Sequence, residues 1–258
     1  QPLAIMLLSK AQIQWEIKRL SKLSKGGSDM QIMAIGAHPD DLEIFMYGLL
    51  AAAAARGDHL HLVVATDGAA GGTDPGPALA KQRAAEARAG LAELDDVHLL
   101  NLPDGHLSSA PDAASTITSM IRETKPDLII THAPEDYHPD HRALSRFVSD
   151  AAGFICPVLF CDTLMGVNFT PDYYVDITPY FTAKQNAIMA HTSQHPDRFV
   201  TATQIMNRFR AAQCNAPDGN YAEAYRIDSR FPFTDVRGLL PPPPPYRPFY
   251  VLGSDALI

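Results

Sequence analysis

Short apolar runs alternate along the chain with segments in which apolar residues recur at helical spacing. The apolar runs of strand length fall at residues 32–37, 60–66, 97–100 and 127–131. The segments with helical spacing fall at residues 42–56, 78–94, 113–124, 142–152, 179–190 and 198–212. This alternation predicts a single α/β domain with a mostly parallel sheet that is covered by helices on both faces.

In an open, Rossmann-like sheet of this kind, ligands bind beyond the carboxyl ends of the strands. The informative loops are therefore those that follow Ala37, Thr66, Leu100 and Thr131. The second of them, residues 67–76, is rich in glycine, but neither GxGxxG nor GxxxxGK[ST] follows the first strand. A nucleotide-dependent enzyme is therefore disfavoured, and turn flexibility explains the glycines more simply.

The two ends of the chain have patterns of their own. Residues 1–25 are amphipathic at helical spacing and lead into a Gly-Gly-Ser sequence, after which a new domain is expected to begin near Met30. Residues 1–29 are then either an extension or fusion ahead of a domain at 30–258, or a native helix that packs on it. The proline run at 241–245 predicts a stiff polyproline II arm that packs on this chain or on a neighbouring subunit.

Composition and charge narrow the class of partner. Apolar residues make up 46% of the chain, which fits a globular protein with a substantial core. The formal net charge of −8, without any run of lysine and arginine, argues against nucleic acid or an anionic membrane as a partner. No apolar stretch reaches the roughly 20 residues of a membrane-spanning helix. The three cysteines lack CxxC spacing, so we expect no disulfide framework and a cytoplasmic location.

Two clusters of histidine and carboxylate residues follow predicted strands. They are His38, Asp40 and Asp41 after the first strand, and His138, Asp140 and His141 shortly after the fourth. Either cluster alone is more often an ordinary surface loop. A catalytic zinc ion, however, needs about three His, Asp or Glu ligands and an open position for water, and the two clusters together supply them.

These motifs resemble those of a known family. Ala-His-Pro-Asp-Asp-Leu-Glu at residues 37–43 and Tyr-His-Pro-Asp-His at 137–141 are similar to motifs of the LmbE-like, or PIG-L, zinc-dependent N-deacetylases. The Leu-Pro-Asp-Gly turn at 102–105 and the His-Thr-Ser-Gln sequence at 191–194 are weaker matches, and the resemblance spans about residues 30–194. It implies a hydrolase that removes an acyl group, above all acetyl, from an amino sugar.

The resemblance also implies roles for individual residues. His38, Asp41 and His141 would bind zinc, and Asp40 would be the general base. Zinc lowers the pKa of its water towards about 7 and polarises the amide carbonyl. Asp40 would take the proton of the water and later give one to the leaving amine, a role worth about 10²–10⁴-fold in rate. His138 is expected to stabilise the oxyanion as an imidazolium.

Three further residues have a chemical and a structural interpretation. Asp140 is expected to accept a hydrogen bond from a ring N–H, to cap the helix from Arg142 onward, or to do both. Arg83 and Asp104 lie where members of the family touch sugar hydroxyls. The alternative for Arg83 is a solvated helix face on which it pairs with Glu86.

The remaining histidines have no companion carboxylate at comparable spacing. We expect one set to be structural or surface residues and another to be structural or to lie at the pocket rim. The first set is His59, His61, His98, His106 and His132, and the second is His191 and His195.

Departures from the family pattern bear on the substrate. Leu42 follows the Asp pair, with the acid at Glu43, and the usual glycine-rich continuation is Phe-Met-Tyr-Gly at 45–48. The expected substrate is an N-acetylglucosamine-containing small molecule or short oligosaccharide, with a non-sugar or thiol-conjugate amide as an alternative. A non-catalytic metal- or sugar-binding protein, and a divalent metal other than zinc, also stay open. The resemblance and the proline arm favour a homo-oligomer.

Overall fold

Seven strands form one sheet in the computed structural model, which describes residues 29–247; the segment predicted as an extension, 1–29, lies outside these except for its last residue. The strands are β1 (Gln31–Gly36), β2 (His59–Thr66), β3 (Val97–Leu102), β4 (Leu128–Thr131), β5 (Val158–Cys161), β6 (Tyr173–Asp176) and β7 (Ala222–Ile227). Their order is β3-β2-β1-β4-β5-β7-β6. The pairs from β3 to β5 are parallel, whereas β7 is antiparallel to both of its neighbours. The predicted mostly parallel α/β fold is confirmed.

Seven α-helices accompany the sheet in the described part of the chain. They are α1 (Asp41–Phe45), α2 (Tyr47–Arg56), α3 (Pro77–Leu91), α4 (Ala113–Thr124), α5 (Pro139–Ala152), α6 (Phe181–Met189) and α7 (Asp197–Gln213). All helices predicted between residues 42 and 212 are present, but the one predicted at 42–56 is two helices that meet at Met46. The carboxylate of Glu223 explains the break, because it accepts hydrogen bonds from the backbone N–H groups of Gly48 and Leu49 at 2.8 Å and so caps α2.

Strand β1 is buried on both faces, as a central strand of a parallel sheet should be. Ile32 and Ala34 belong to the apolar layer that includes residues of α1, α2, α3 and α6. Met33 and Ile35, the alternate positions, belong to the opposite layer with α4 and α5. Helices therefore cover both faces of the sheet.

The order of the strands reverses beside β1. This strand pairs with β2 on one side and with β4 on the other, so that the chain leaves β1 and β4 in adjacent positions at the same edge. A crevice forms at such a reversal point in open α/β sheets. The two histidine clusters follow these two strands, and the fold therefore brings them together.

The proline run packs on this chain. The backbone N–H of Asp176, at the end of edge strand β6, donates to the carbonyl of Pro242 at 2.9 Å. Covering an edge strand in this way removes a free ladder of hydrogen-bonding groups. Among residues 29–247, no helix is long and apolar enough to cross a membrane.

A buried ion pair between Lys184 and Glu223 joins α6 to β7. Lys184 is 0% exposed and its Nζ lies 2.7 Å from Glu223 Oε1, while the hydroxyl of Tyr225 donates to Oε2 at 2.6 Å. With the two N–H groups of α2, the Glu223 carboxylate therefore accepts four hydrogen bonds. Removing one partner of such a pair leaves an uncompensated buried charge.

We expect Glu223→Ala to lower the free energy of unfolding by about 3–5 kcal/mol. The change leaves the Lys184 ammonium buried without its partner and removes the cap of α2. Urea unfolding followed by circular dichroism measures this change. Adding Lys184→Met should recover part of the loss, since it removes the unpaired charge. Glu123→Ala, at an exposed position of α4, is the control, with an expected change within about 0.5 kcal/mol. An equal, small effect at both glutamates would contradict a structural role for the pair.

Candidate functional site

The loops that follow β1, β2, β3 and β4 meet in a pocket of about 280 Å³ at the carboxyl edge of the sheet. Seven of the eight predicted site residues line it, namely His38, Asp40, Asp41, Arg83, Asp104, His138 and His141. Asp140 lies behind His38. A larger cavity of about 1020 Å³, between β2, β3 and α4, contains none of these residues.

The three predicted metal ligands lie next to one another, and the two imidazoles face different oxygens of Asp41. The Nδ1 atom of His38 lies 3.4 Å from Asp41 Oδ2 and 3.2 Å from the Nε2 atom of His141, which in turn lies 3.3 Å from Asp41 Oδ1. A tetrahedral zinc ion with bonds of about 2.0–2.1 Å keeps its ligand atoms roughly 3.3 Å apart. Two imidazoles and a carboxylate at these separations therefore fit zinc in both chemistry and spacing.

The backbone places these side chains through tight local geometry. Asp41 is the first residue of α1, and its Oδ2 accepts a hydrogen bond from the backbone N–H of His38 at 2.6 Å. A Cβ at Gly36 would lie 2.8 Å from the Cβ of Asp41, so only glycine allows this approach. Pro139 begins α5 and presets its first turn, from which His141 points into the pocket.

A carboxylate behind each imidazole orients it. The Nε2 atom of His38 lies 3.2 Å from Asp104 Oδ1 and 3.4 Å from Asp140 Oδ2. Asp140 is held in turn by the backbone N–H groups of Gly105 and Leu107, at 2.7 and 3.0 Å. The expected contact of Asp140 with a ring nitrogen is present. Its alternative role as a helix cap is wrong, because the cap of α5 is His138.

The second imidazole has the same kind of support. The Nδ1 atom of His141 lies 3.1 Å from Asp136 Oδ1, which also accepts a hydrogen bond from the backbone N–H of His138 at 2.9 Å. Asp136 is buried at the end of the loop that follows β4. The sequence pattern suggested a place near the oxyanion for Asp136 and no part in orienting a ligand, although its position five residues before a predicted ligand was a usable indication.

His132 is the other site residue that sequence analysis missed. We expected a structural or surface histidine, and its 0% exposure fits a structural one, but its ring also stacks on that of His141 at 3.7 Å and its Nε2 lies 3.0 Å from Asp41 Oδ2. It follows β4 directly, at a strand end that the fold had already made informative. Its carboxylate partner is 91 residues away, which no local spacing reveals.

The carboxylates around His38 and His141 favour positive charge at these two rings. Burial lowers the pKa of His38, but the hydrogen bonds to Asp104, Asp140 and Asp41 outweigh it, so that the pKa is raised well above its usual value. Burial also lowers the pKa of His141, but the charges of Asp41 and Asp136 and the hydrogen bonds to them outweigh it. They raise the pKa of His141 to about 9. Protons on these rings neutralise the surrounding carboxylates, as a bound metal ion would in their place.

Several overlapping sets of side chains in the described residues have ligand atoms within 4.8 Å of one another. They are His38, His138 and His141; Asp41, His132 and His141; and His38, Asp104 and Asp140. His141 belongs to two sets and His38 to two. The predicted triad draws on the same two histidines, and His138 is the residue that competes with Asp41 for a place in it.

Asp40 stands beside the triad in a strained conformation. Its φ of 136° is unfavourable for any residue but glycine and costs about 1–3 kcal/mol. Burial raises the pKa of Asp40 to about 6, although the charge of Arg83, whose Nη2 lies 3.2 Å from Asp40 Oδ2, opposes the rise. A buried carboxylate with such a pKa is suited to accept and return a proton near neutral pH.

His138 differs from expectation in its charge. Its Nδ1 accepts a hydrogen bond from the backbone N–H of Asp140 at 3.2 Å, so that Nδ1 carries no proton and only Nε2–H can donate. Burial, followed by the charges of His38 and His141, lowers its pKa. Both observations favour a neutral ring with Nε2–H as its donor over the expected imidazolium, and the role of His138 at the oxyanion stays a prediction.

Arg83 and Asp104 both reach the pocket. Asp104 lies between His38 and the loop after β2, where its Oδ2 accepts the backbone N–H of Ala70 at 2.9 Å. Arg83 is only 3% exposed, so its alternative interpretation as part of a solvated helix face is wrong. Glu86, the supposed partner, instead accepts hydrogen bonds from Thr192 and Ser193.

The other histidines lie away from the triad. His191 is buried and its Nε2 lies 2.8 Å from Glu43 Oε1, which agrees with its expected structural role. His61 and His98 line the larger cavity, and His195 is exposed.

Comparisons with known proteins agree with the motifs. Residues 33–152 match the family model described as PIG-L: GlcNAc-PI de-N-acetylase. The chain is 26% identical over 199 residues to diacetylchitobiose deacetylase of Thermococcus kodakarensis. This match covers 68% of this chain and 74% of the relative. It is 31% identical over 183 residues to the uncharacterized deacetylase YaiS of Escherichia coli, with coverage of 66% and 95%.

Solved structures share the fold. N,N'-diacetylchitobiose deacetylase from Pyrococcus horikoshii has a TM-score of 0.66 at 23% identity, and the match covers 83% of this chain and 92% of the other. The 4-carboxy-2-hydroxymuconate hydratase GalB from Pseudomonas putida has a TM-score of 0.69 at 20% identity, with coverage of 80% and 99%. The same fold thus carries more than one reaction, and the fold alone does not identify the chemistry.

Proposed function

This chain belongs to the PIG-L, or LmbE-like, family, and on that premise we propose that it is a zinc-dependent hydrolase of an N-acyl amide on an amino sugar. The acyl group is most simply acetyl, and the substrate a small molecule or short oligosaccharide that contains N-acetylglucosamine. The observation that carries the proposal is the convergence of His38, Asp41 and His141 at 3.2–3.4 Å beside the buried carboxylate of Asp40.

His38, Asp41 and His141 would hold the metal through Nδ1, a carboxylate oxygen and Nε2, respectively. Asp140 and Asp136 orient the two imidazoles, and such outer carboxylates also raise the basicity of the ligands. When bound, zinc lowers the pKa of a water molecule to about 7 and polarises a carbonyl. A set of two histidines and one aspartate also accepts other divalent ions, so the metal used in the cell is part of the proposal.

Asp40 would move the proton in this reaction. Its carboxylate lines the pocket beside the triad, and burial raises its pKa to about 6. It would take a proton from the attacking water and later donate one to the leaving nitrogen of the amide. General acid–base catalysis of this kind contributes about 10²–10⁴-fold to the rate.

The Nε2–H of neutral His138 would stabilise the negative charge that develops on the carbonyl oxygen. The ring is fixed for this task, since its Nδ1 caps α5 and it lies edge-on to His38 with 4.5 Å between ring centroids. A preorganised neutral donor is sufficient for an oxyanion. Asp104, a carboxylate at the pocket wall, would accept a hydrogen bond from a sugar hydroxyl.

Three alternatives lead to different outcomes. A non-sugar or thiol-conjugate amide would use the same metal and the same base, and only a substrate panel separates it from an amino sugar. A non-catalytic binding protein has no use for a buried, strained Asp40 beside the metal. A hydratase, the reaction of GalB, would release no amine.

We expect the purified protein to release free amine from at least one N-acetylated sugar of a panel that includes N-acetylglucosamine and N,N'-diacetylchitobiose. Removal of metal with a chelator should reduce the rate to background, and stoichiometric zinc should restore it, because metal chemistry of this kind supplies several kcal/mol of the lowered barrier. A fluorescent amine reagent and elemental analysis for metal measure both quantities on the same sample.

The panel also contains thiol-conjugate and non-sugar acetamides. Amine released from these alone would replace the amino-sugar substrate and keep the hydrolase. Stoichiometric metal without any amine release would overturn the hydrolase, and amine release that survives complete metal removal would overturn metal dependence.

A further inference from the structure

The larger cavity, away from the candidate site, is a groove on the face of the sheet that packs against α4 and α5. Strands β2 and β3 form its floor and α4 forms one wall, and its volume is about 1020 Å³. Strand β3 lies at the edge of the sheet, and on this face its His98 is exposed and its Leu100 is only partly buried. Residues 29–247 therefore leave part of the sheet uncovered here.

The groove has an apolar floor and acidic sides. Its apolar lining includes Met33, Val63, Leu100 and Met120. Its carboxylates are Asp95, Asp96, Asp112 and Glu123, and we call it the acidic groove. None of the described residues that line it is lysine or arginine. An amphipathic helix with an apolar stripe and basic flanks matches such a groove in shape and charge.

The chain enters the sheet beside this groove. Asp29 Oδ1 lies 2.8 Å from the Nε2 atom of His59, and Gln31 Oε1 lies 2.9 Å from the Nε2 atom of His61. His59 and His61 are alternate residues of β2 and point to the same face of the sheet, where His61 lines the acidic groove. The segment that precedes Asp29 therefore begins on the groove side of the sheet.

This segment, residues 1–28, lies outside the described part of the chain, but its sequence complements the groove. Ile13, Ile17 and Leu20 recur at helical spacing and predict an apolar stripe. Against one acidic residue, Glu16, residues 10–25 contain five basic ones, although the whole chain has a net charge of −8. The basic residues are Lys10, Lys18, Arg19, Lys22 and Lys25.

The dimensions also agree. A helix of residues 10–25 would be about 24 Å long, and the six-residue strand β3 spans roughly 20 Å. The Gly-Gly-Ser sequence at 26–28 can span up to about 10 Å, which is enough for the chain to turn from Asp29 into the groove.

We propose that residues 10–25 form an amphipathic helix that docks in the acidic groove of the same chain. The apolar stripe would cover the floor, and the basic side chains, whose stems can lie along apolar surface, would reach the carboxylates at the sides. A helix of this length is marginal in water by itself, so it needs such a surface. The segment is then a native part of the domain, which it completes beside edge strand β3.

Hydrogen exchange of the full chain, followed by mass spectrometry on peptides that cover residues 10–25, tests the docking. An undocked segment should exchange its amides at nearly the rates of an unfolded peptide, because the isolated helix is marginal. A docked helix should exchange at least about tenfold more slowly. Unprotected amides at residues 10–25 in the wild type would overturn the proposal.

Charge reversal in the groove makes the test specific. Asp96→Lys combined with Glu123→Lys, both at exposed positions, should remove the protection of residues 10–25. Adding Arg19→Glu and Lys22→Glu should restore part of it, because the charges of helix and groove are then complementary again. Circular dichroism verifies that each variant is folded.

The matched control is Asp74→Lys combined with Asp218→Lys, which reverses two exposed acidic residues outside the groove and should leave the protection unchanged. Protection that survives reversal of the groove would place the helix elsewhere and reject the proposal. Protection that falls on dilution would show that a second copy supplies the helix, and docking within one chain would then be wrong. Loss in the groove variant alone, with recovery in the charge swap at every concentration, is the supporting result.

Discussion

Asp40→Asn is expected to lower kcat by about 10²–10⁴-fold while the protein keeps its full metal content. The amide has nearly the shape of the carboxylate, so Asn should adopt the strained backbone at φ 136° at about the same cost as Asp, and the backbone should not change. Arg83 can still donate to the amide oxygen. The substitution therefore removes the proton acceptor and little else, and steady-state amine release together with metal analysis measures the result.

The control for this substitution is Asp74→Asn, which makes the same chemical change at an exposed residue of the loop after β2. It should leave kcat within a factor of about two, as expected for an exposed site that touches no special feature. If Asp40→Asn loses metal in parallel with activity, Asp40 is a ligand rather than a base. If it keeps both metal and activity, proton transfer must be assigned to another group, with His138 as the first candidate.

Sequence patterns predicted the part of the fold that short-range periodicity encodes. The alternating runs up to Thr131 gave β1 to β4 and their helices, and the alternation itself implied parallel strands. The antiparallel arrangement of β7 between β5 and β6 was not predicted, because it depends on which distant strands pair. The break at Met46 escaped prediction for the same reason, since the cap on α2 comes from Glu223, 175 residues along the chain.

In the candidate site, too, contacts between near neighbours in the sequence were predictable and contacts between distant residues were not. His38 and Asp41 are three residues apart, so their approach is a matter of one turn of backbone, and a family motif records it. Arg83 and Asp40 are 43 residues apart, and a helical pattern showed only the neighbours of Arg83 on its own helix. Contacts such as these exist only once the parallel strands have brought their loops to one edge.

The likeness to GalB gives these long-range contacts their importance. A hydratase and a deacetylase share this fold at 20% and 23% identity with the chain, so that neither sheet nor helices determine the reaction. The difference must lie in side chains at the shared edge, where the roles proposed for Asp40 and His138 differ from the metal binding proposed for His38, Asp41 and His141. Variants that separate metal binding from turnover are therefore the most informative ones.

Alanine at His38, Asp41 or His141 is expected to abolish stoichiometric metal binding and to reduce amine release to the level of the chelated protein. Each change removes one of three converging ligands, and a catalytic zinc site rarely keeps its metal with two. Elemental analysis after extensive dialysis against metal-free buffer measures the metal, and circular dichroism verifies that each variant is folded. His38→Ala and His141→Ala should have the clearest effects, because each of these residues belongs to two of the overlapping ligand sets.

His138→Ala is the decisive companion to these variants, since His138 also forms a set with His38 and His141. We expect it to keep one metal ion per chain and to lose about 10²–10³-fold in kcat, the usual effect of removing a single oxyanion donor. The opposite pattern, with metal lost in His138→Ala and kept in Asp41→Ala, would assign the ion to three histidines. Asp41 would then be left as the carboxylate that orients His132 and His141, to which it lies at 3.0 and 3.3 Å.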